Sequence, residues 1–388
     1  MDFTESENQA ELAALTRKIF TERTVASRLK TIESGPDRFD PALWADLAEA
    51  GVLAAALPES LGGADLGLLD QCSVLIEAGR TVAPVPYLAS IVLGAGAIAR
   101  FGTPEQREKW AVPASRGDLI LTAALAEEDA ADRVWPATHA EPGSDGIWRL
   151  SGVKTTVPAA PLAALFLVPA ATPGGPAVFL VEPGDLGVTI ERQELTSGDS
   201  AGRLVLDSVP LEASRLLGGI GTGDDPAAGQ AASGQAASGQ STADWLAATA
   251  TVGLCAHQAG VTAQALELTA EYARTRNQFG KPIGAFQAVA QRLADAYVDT
   301  EAIRLTMWQA AWRFAEGLPS ATEIATAKFW AADGGHRVAH TAVHVHGGVG
   351  IDLEAAPHRY FIAAKQNEFA LGGATAQLLR IGKDLAST

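Results

Sequence analysis

Cysteine is scarce in this chain of 388 residues, which contains only Cys72 and Cys255. Each of them lies in an apolar run and neither belongs to a Cys-x-x-Cys pair, so the usual ligands of a structural zinc site are missing. This pattern is typical of a reducing compartment, and it predicts a cytoplasmic protein.

Positive charge is also in short supply. The chain has 29 Lys and Arg residues against 45 Asp and Glu residues, which gives a formal net charge of −16. A surface this acidic repels a phosphate backbone, so we expect no nucleic-acid partner. A phosphate-bearing ligand therefore requires a local group of Arg side chains or backbone N–H donors.

Long hydrophobic runs are rare. One uncharged stretch, TVAPVPYLASIVLGAGAIA, covers Thr81 to Ala99 and is the run most like a membrane span. Two prolines near its start, and Gly94 and Gly96 within it, favour a buried helix after a loop over a membrane span. The first residues, MDFTESENQAELAAL, are acidic and polar, so we predict neither a signal peptide nor a membrane segment.

The order of local patterns predicts three domains and a linker. Residues 1–118 show helical spacing of apolar residues, whereas residues 119–221 contain short β-branched and aromatic runs separated by Gly, Pro and Asp. Residues 222–243 include AAGQAASGQAASGQS, which has too few apolar side chains to offset the entropy of ordering and predicts a flexible linker. Residues 244–388 return to long helical patterns. We therefore predict an α+β fold with an N-terminal helical domain, a small middle β domain and a C-terminal four-helix bundle.

A donor-rich turn interrupts the last helical part, in the stretch ARTRNQFGKPIGAFQ from Ala273 to Gln287. Taken alone, Arg276 in this stretch fits a solvated side chain between two helices. Further stretches follow one family order along the chain, among them LPESLGGADLG, IEAGRTVAPVPYL, WRLSGVKTTV, LVLDSVPLEASRLLG and HVHGGVGI. Together they resemble the acyl-CoA dehydrogenase family over nearly the whole sequence. The resemblance implies an enzyme that uses FAD to take two hydrogens from Cα and Cβ of an acyl-CoA thioester.

The resemblance also implies which residues contact FAD. Arg276 stands where the family has its pyrophosphate arginine, and a guanidinium fork suits a pyrophosphate. Gln278 and Phe279 supply a hydrogen bond and an apolar wall, and in the family these groups reach the flavin of the neighbouring subunit. The remaining implied cofactor contacts are Gln287, His344, Val345, Gly347 and Gly348. Glycine in the HGG turn allows the backbone to approach a ligand closely.

The catalytic base of the family is a glutamate, and the resemblance gives two positions for it. Here those positions hold Leu371 and Ala250, neither of which can accept a proton. Glu368 lies one helical turn before Leu371. It is either a substitute base or a surface or capping carboxylate.

The flavin-ring pocket of the β domain also departs from the family pattern. The stretch LTAALAEEDAAD has Ala126 in place of a threonine and Glu128 in place of a proline. A Pro-Gly-Ser-Asp sequence follows in EPGSD, but it runs into the strand pattern of Trp148, so we predict an ordinary turn there.

Three histidines, His336, His340 and His344, share one helical face. No carboxylate follows at a matching position, and His344 takes the place of a family glutamine before the HGG turn. We therefore predict no metal.

These departures share a pattern. The chain lacks what a subunit needs to hold its own flavin ring and to deprotonate its own substrate, and it keeps what a subunit lends to its neighbour. We therefore predict the non-catalytic subunit of a hetero-oligomer, with an acyl-CoA substrate and a homologous partner that carries the glutamate. The resemblance to actinobacterial α2β2 enzymes implies CoA thioesters of steroid side chains. Two alternatives stay open: a homotetramer that uses Glu368, and a non-catalytic module that binds acyl-CoA or protein.

Overall fold

The structure is a computed structural model that describes residues 6–128, 136–218 and 241–386. The chain forms two compact units, and each combines segments that are distant in sequence. The first contains the chain up to Thr31, Gly67–Ala83 and the chain from Thr251 onward, and the second contains Ile32–Leu66 and Pro84–Ala250. The linear domain boundaries given above stay a prediction.

Helices make up the first part of the chain. They are α1 (Glu7–Arg23), α2 (Ala26–Glu33), α3 (Pro41–Glu49), α4 (Leu68–Thr81), α5 (Gly96–Phe101), α6 (Pro104–Gln106) and α7 (Val112–Ser115). Side-chain caps fix several of their starts. Asp40 accepts hydrogen bonds from the backbone of α3, and Thr103 and Gln106 form a capping box at α6.

The long uncharged run folds as a buried helix after a loop, as predicted. Tyr87–Ala95 is a π-helical segment that continues directly into α5, and most of its residues are buried. A Cβ placed on Gly94 would lie 2.5 Å from the Cβ of Leu121, so this helix needs glycine for close packing. None of the helices in the described ranges is long and apolar enough to cross a membrane.

The middle of the chain forms an eight-stranded sheet. Its strands are β1 (Leu121–Ala123), β2 (His139–Pro142), β3 (Trp148–Pro158), β4 (Leu165–Thr172), β5 (Gly175–Val181), β6 (Val188–Glu194), β7 (Ser200–Leu211) and β8 (Leu216–Leu217). Their order is β6-β7-β3-β2-β4-β5-β8, with β1 parallel to β4. Trp148 packs edge-on against Phe179 in the apolar core on one face of this sheet.

Long helices return at the C-terminal end. They are α8 (Thr242–Thr275), α9 (Gln287–Ala315), α10 (Ala321–His346), α11 (Pro357–Phe369) and α12 (Ala374–Ala386). A two-stranded hairpin, β9 (Asn277–Gln278) and β10 (Lys281–Pro282), separates α8 from α9. Helix α8 begins inside the predicted linker, because the Ser241 hydroxyl accepts a hydrogen bond from the Asp244 backbone N–H at 3.1 Å. The rest of that linker, residues 222–240, lies outside the described residues.

One sequence pattern spans two helices. The stretch NEFALGGATAQLLRIGKDLA reads as a single helix, but α11 ends at Phe369 and α12 begins at Ala374. Leu371 and Gly372 have φ angles of 60° and 90°, which no right-handed helix accommodates. The predicted fold class itself, with helical ends and a middle β-sheet domain, is confirmed.

Candidate functional site

The donor-rich turn folds as a tight hairpin at the end of α8. The backbone N–H of Arg276 donates to Tyr272 at 2.8 Å, and its carbonyl accepts from Ile283 at 2.8 Å, which closes the base of the hairpin. Gln278 pairs with Lys281 across β9 and β10, which leaves Phe279 and Gly280 as the loop. Both loop residues have positive φ, 51° and 79°, as a two-residue type I′ turn requires.

Phe279 stands outside the apolar core, with 93% of its surface exposed. A bulky residue at positive φ is strained, and strain of this kind is typical of functional sites. Behind it, Phe286 contacts the Phe279 ring edge-on, with the centroids 6.1 Å apart, and the Lys281 Nζ lies 4.4 Å from the centre of the Phe286 ring. The hairpin therefore presents an aromatic side chain outward.

The two arginines of this stretch differ in their contacts. The Arg274 guanidinium pairs with the Glu271 carboxylate at 3.0 Å. The Arg276 side chain is exposed and makes no hydrogen bond or ion pair with any described residue. In a chain with a net charge of −16, an exposed arginine with no ion-pair partner among the described residues is available to an external anion.

The glycine turn follows α10. Gly347 has a φ of 64°, which reverses the chain, and a Cβ placed on Gly350 would lie 2.8 Å from the Val343 Cα. Gly348 is different, because it has no positive φ and an added Cβ would find nothing within 4 Å. Positive φ thus explains glycine at position 347, and close packing explains it at position 350, but neither explains glycine at position 348.

The other predicted contact residues lie beside these two elements. Gln287 is the first residue of α9 and is exposed, and His344 is exposed on the last turn of α10. Val345 is buried, so its side chain packs within the unit.

A ring stack brings the hairpin and the glycine turn to one end of the first compact unit. Tyr272, on the last turns of α8, stacks on His346, the last residue of α10, with centroids 4.4 Å apart and ring planes 26° from parallel. Arg276 follows Tyr272 by one helical turn, and Gly347 follows His346 directly. We call the surface formed by Arg276–Ile283 and Gly347–Ile351 the hairpin face.

Neither glutamate position of the resemblance holds a proton acceptor. Leu371 lies in the loop between α11 and α12, and Ala250 is buried within α8. The loop around Leu371 is nevertheless held firmly. Gln377 donates to the carbonyl of Leu371 at 3.2 Å, and the buried Lys328 ammonium donates to the carbonyls of Asn367 and Glu368 at 3.0 and 3.1 Å.

Glu368 is engaged with two basic side chains. Its carboxylate lies 2.6 Å from the Lys365 Nζ and 3.1 Å from the His336 Nδ1. A catalytic base needs a carboxylate that can reach the proton it removes. The Glu368 carboxylate instead pairs with Lys365 on one side and His336 on the other. The geometry favours a structural role over the substitute-base alternative.

The histidine row on α10 forms a ring pair. His336 and His340 have ring centroids 4.2 Å apart, and desolvation, reinforced by His336, lowers the pKa of His340. Within the described ranges, no three His, Cys, Asp or Glu side chains are placed to hold a metal ion.

The second compact unit contains the positions expected for the flavin ring. The Ala126 carbonyl accepts a hydrogen bond from the backbone N–H of Thr155 at 2.9 Å, which ties Ala126 to strand β3. Glu127 is buried and pairs with the buried Lys154 at 2.6 Å. Burial opposes ionisation of Glu127, but Lys154 and the hydrogen bonds from Thr138 outweigh it and lower its pKa.

Glu128 and the EPGSD stretch, the two other sequence features weighed for the flavin ring, lie in the same compact unit. Glu128 lies 3.4 Å from Arg203, and residues 129–132 of the same stretch lie outside the described residues. The EPGSD stretch is the turn between β2 and β3, closed by a 2.8 Å hydrogen bond from the Gly143 N–H to the Ile147 carbonyl, as predicted.

Comparison with known families decides the identity of the fold. The family model described as acyl-CoA dehydrogenase, N-terminal domain, matches residues 6–118, and that of the acyl-CoA dehydrogenase C-terminal domain matches residues 238–386. This chain belongs to the acyl-CoA dehydrogenase family. The family assignment made from the sequence is therefore confirmed.

The chain is similar to two relatives from one organism. It is 46% identical to acyl-CoA dehydrogenase FadE27 of Mycobacterium tuberculosis, over 100% of both chains. Acyl-CoA dehydrogenase FadE28 of the same organism is 32% identical over 87% of this chain and 91% of its own.

Two solved complexes are similar in structure. The ChsE4-ChsE5 complex from Mycobacterium tuberculosis contains a chain with 47% identity and a TM-score of 0.91 over 100% of both chains. A chain of the Tcur3481-Tcur3483 steroid ACAD G363A variant has 42% identity and a TM-score of 0.87 over 98% of both chains. The predicted resemblance to subunits of actinobacterial steroid acyl-CoA dehydrogenases is thereby confirmed.

The sequence patterns assign no role to two residues that the structure brings together. Tyr272 directly precedes the donor-rich stretch, and His346 is the first residue of the HGG turn. The two rings stack only because α8 packs beside α10, which local sequence patterns do not predict. The sequence showed only that Tyr272 lies one helical turn before Arg276 and that His346 lies directly before Gly347.

Proposed function

We propose that this chain is a subunit of a hetero-oligomeric acyl-CoA dehydrogenase that introduces an α,β double bond into an acyl-CoA thioester, and that it lends FAD-binding residues to a partner chain that carries the catalytic glutamate. The observation that carries the proposal is the exposed Arg276, which pairs with no described residue, beside an outward Phe279, in a chain whose glutamate positions hold Leu371 and Ala250. The binding groups that point away from the chain are kept, and the proton acceptor is not.

The residues of the hairpin face fit FAD. The cofactor carries a pyrophosphate, and the guanidinium of Arg276 offers parallel N–H donors with no competing partner among the described residues. Gln278 adds an amide next to it, and Gly348 leaves room for a close backbone approach. The exposed ring of Phe279 would cover an apolar part of the cofactor or of the partner chain.

The division of labour follows from the residues this chain has. FAD, when bound, supplies the acceptor for the hydride that leaves Cβ of the thioester. This chain's part is to bind and orient the cofactor through Arg276, Gln278 and the Gly347–Gly348 backbone. It holds no proton at Leu371 or Ala250, so the α proton must pass to a base of the partner chain.

The partner we propose is a homologous acyl-CoA dehydrogenase chain with an intact glutamate, in an α2β2 assembly. Both similar structures named above are complexes of two different chains, and one of them is described as a steroid ACAD. We further propose that the substrate is the CoA thioester of a steroid side chain and that the enzyme is cytoplasmic. The engaged carboxylate of Glu368 speaks against the homotetramer alternative.

The test compares Arg276→Ala with Arg274→Ala in the complex purified with the partner, taken as the family member encoded beside this chain. A charge-assisted contact to pyrophosphate contributes about 2–3 kcal/mol, so Arg276→Ala should weaken FAD binding roughly 30- to 150-fold. Arg274 already pairs with Glu271, so Arg274→Ala should leave FAD affinity unchanged. Fluorescence titration of the deflavinated complexes measures both. Equal affinities of the Arg276→Ala and native complexes would show that the hairpin face does not bind FAD.

A further inference from the structure

The two halves of the hairpin face are each fastened to their own helix. On α8, the hairpin is closed by the Arg276–Ile283 hydrogen bond, and a Cβ on Gly284 would lie only 3.0 Å from the Ala273 carbonyl. On α10, Gly350 packs equally closely on Val343. Neither half can shift without its helix end.

The contact between these helix ends is a pair of rings. His346 is 7% exposed, and its Nδ1 lies 2.8 Å from the Ala342 carbonyl, which makes Nδ1 the donor and fixes the ring along α10. Burial lowers the pKa of His346, which favours the uncharged ring. The uncharged ring lies stacked on Tyr272, whose own carbonyl accepts from the Arg276 N–H at 2.8 Å. Stacking between such rings is directional as well as attractive.

We propose that the Tyr272–His346 stack is a positioning device that sets the spacing between the Arg276 hairpin and the glycine turn. This inference rests on the proposed function, because the spacing matters only if one cofactor touches both halves. Arg276 and Gly348 then act on FAD together, and the two rings hold them in register without touching the cofactor. Tyr272 and His346 are positioning residues in this scheme.

The experiment removes and restores the stack in the complex with the partner chain. Tyr272→Leu and His346→Leu each delete one ring but keep apolar volume, and we expect each to weaken FAD binding roughly three- to tenfold. Tyr272→Phe and His346→Phe keep two stacked rings, so their FAD affinity should match that of the native complex. The double Leu variant should bind FAD no more weakly than either single variant, because both remove the same interaction.

Hydrogen exchange gives a second readout. Amides of residues 276–283 should exchange faster in Tyr272→Leu than in Tyr272→Phe, at an unchanged midpoint of thermal unfolding. If His346→Leu fails to assemble, the Tyr272 pair alone decides, since Tyr272 is only partly buried. Equal affinities and equal exchange for Tyr272→Leu and Tyr272→Phe would overturn the positioning role.

Arg276→Ala in the same titration separates the two conclusions. If Arg276→Ala weakens FAD binding and the Leu variants do not, the stack has no positioning role and the proposed function stands. If Arg276→Ala also binds FAD normally, the proposed function fails, and the inference that depends on it fails with it.

Discussion

Single residues carry the distinction between a binding surface and a structural turn. Gly347 and Gly350 are required by the chain itself, the first by its positive φ and the second by its contact with Val343. Gly348 has neither constraint, so its missing side chain points to something outside the described residues. Of the glycines in this turn, Gly348 is therefore the one whose replacement should affect binding and not folding.

We predict that Gly348→Ala leaves the fold intact and weakens FAD binding by the complex. The free chain has open space for the methyl group, so the midpoint of thermal unfolding should not fall. A methyl group between backbone and cofactor, by contrast, must displace one of them, and we expect at least a roughly tenfold loss of affinity.

Gly350→Ala is the matched control, because its methyl group would meet the Val343 backbone and should lower the unfolding temperature instead. Fluorescence titration and differential scanning calorimetry of both variants separate the two effects. Normal FAD binding by Gly348→Ala would remove the glycine turn from the proposed site.

At the scale of elements, several side chains hold the loop between α11 and α12 in place, although Leu371 at its centre has no acid–base group. Lys328 holds the end of α11, and Gln377 holds the carbonyls of Leu371 and Gly372. Leu371 itself has a φ of 60°, a conformation that costs a side-chain-bearing residue about 1–2 kcal/mol. The loop thus retains a demanding geometry although the residue at its centre cannot act as a base.

This strain gives a prediction about stability. Leu371→Gly should be more stable than Leu371→Ala by about 1 kcal/mol, because only glycine is relaxed at this φ. Leu378 on α12 is the control, since it is 53% exposed in a right-handed helix. There the order should reverse, with Ala more stable than Gly by about 1 kcal/mol. Chemical unfolding of the four variants measures both differences, and the same order at both positions would mean that Leu371 is not strained.

The sequence was informative about elements and less so about their junctions. Apolar spacing predicts the helical ends, and alternation with Gly and Pro predicts the sheet, because both patterns are local. The break at Leu371 depends on a positive φ, which leucine does not signal even though Gly372 follows it. The Tyr272–His346 stack depends on which helices pair, so local patterns could not predict it.

At the scale of the whole molecule, the replaced base positions and the ring-pocket substitutions point to dependence on another chain. On the proposed function, Leu371 and Ala250 leave the lone chain without the family's acceptor for the α proton, and Ala126 and Glu128 stand where the family pattern has its threonine and proline. A single restored carboxylate supplies one of these requirements only.

We therefore predict that Leu371→Glu does not make the lone chain active, and that the lone chain carries little FAD. A glutamate at position 371 would also replace a partly buried leucine, so desolvation would raise its pKa and the packing would suffer. In the native complex, Glu368→Gln should cost little activity, because Glu368 is tied to Lys365 and His336 and the partner supplies the base.

The measurement is turnover of a steroid side-chain acyl-CoA by the native complex, the Glu368→Gln complex and the lone Leu371→Glu chain. Removing an essential general base typically costs 10²- to 10⁴-fold, so a loss beyond about a hundredfold in the second sample would identify Glu368 as the base. Turnover by the third sample would show that this chain holds a complete flavin site of its own. If this chain supplies FAD-binding residues and the partner supplies the base, only the native complex and the Glu368→Gln complex should turn over the substrate.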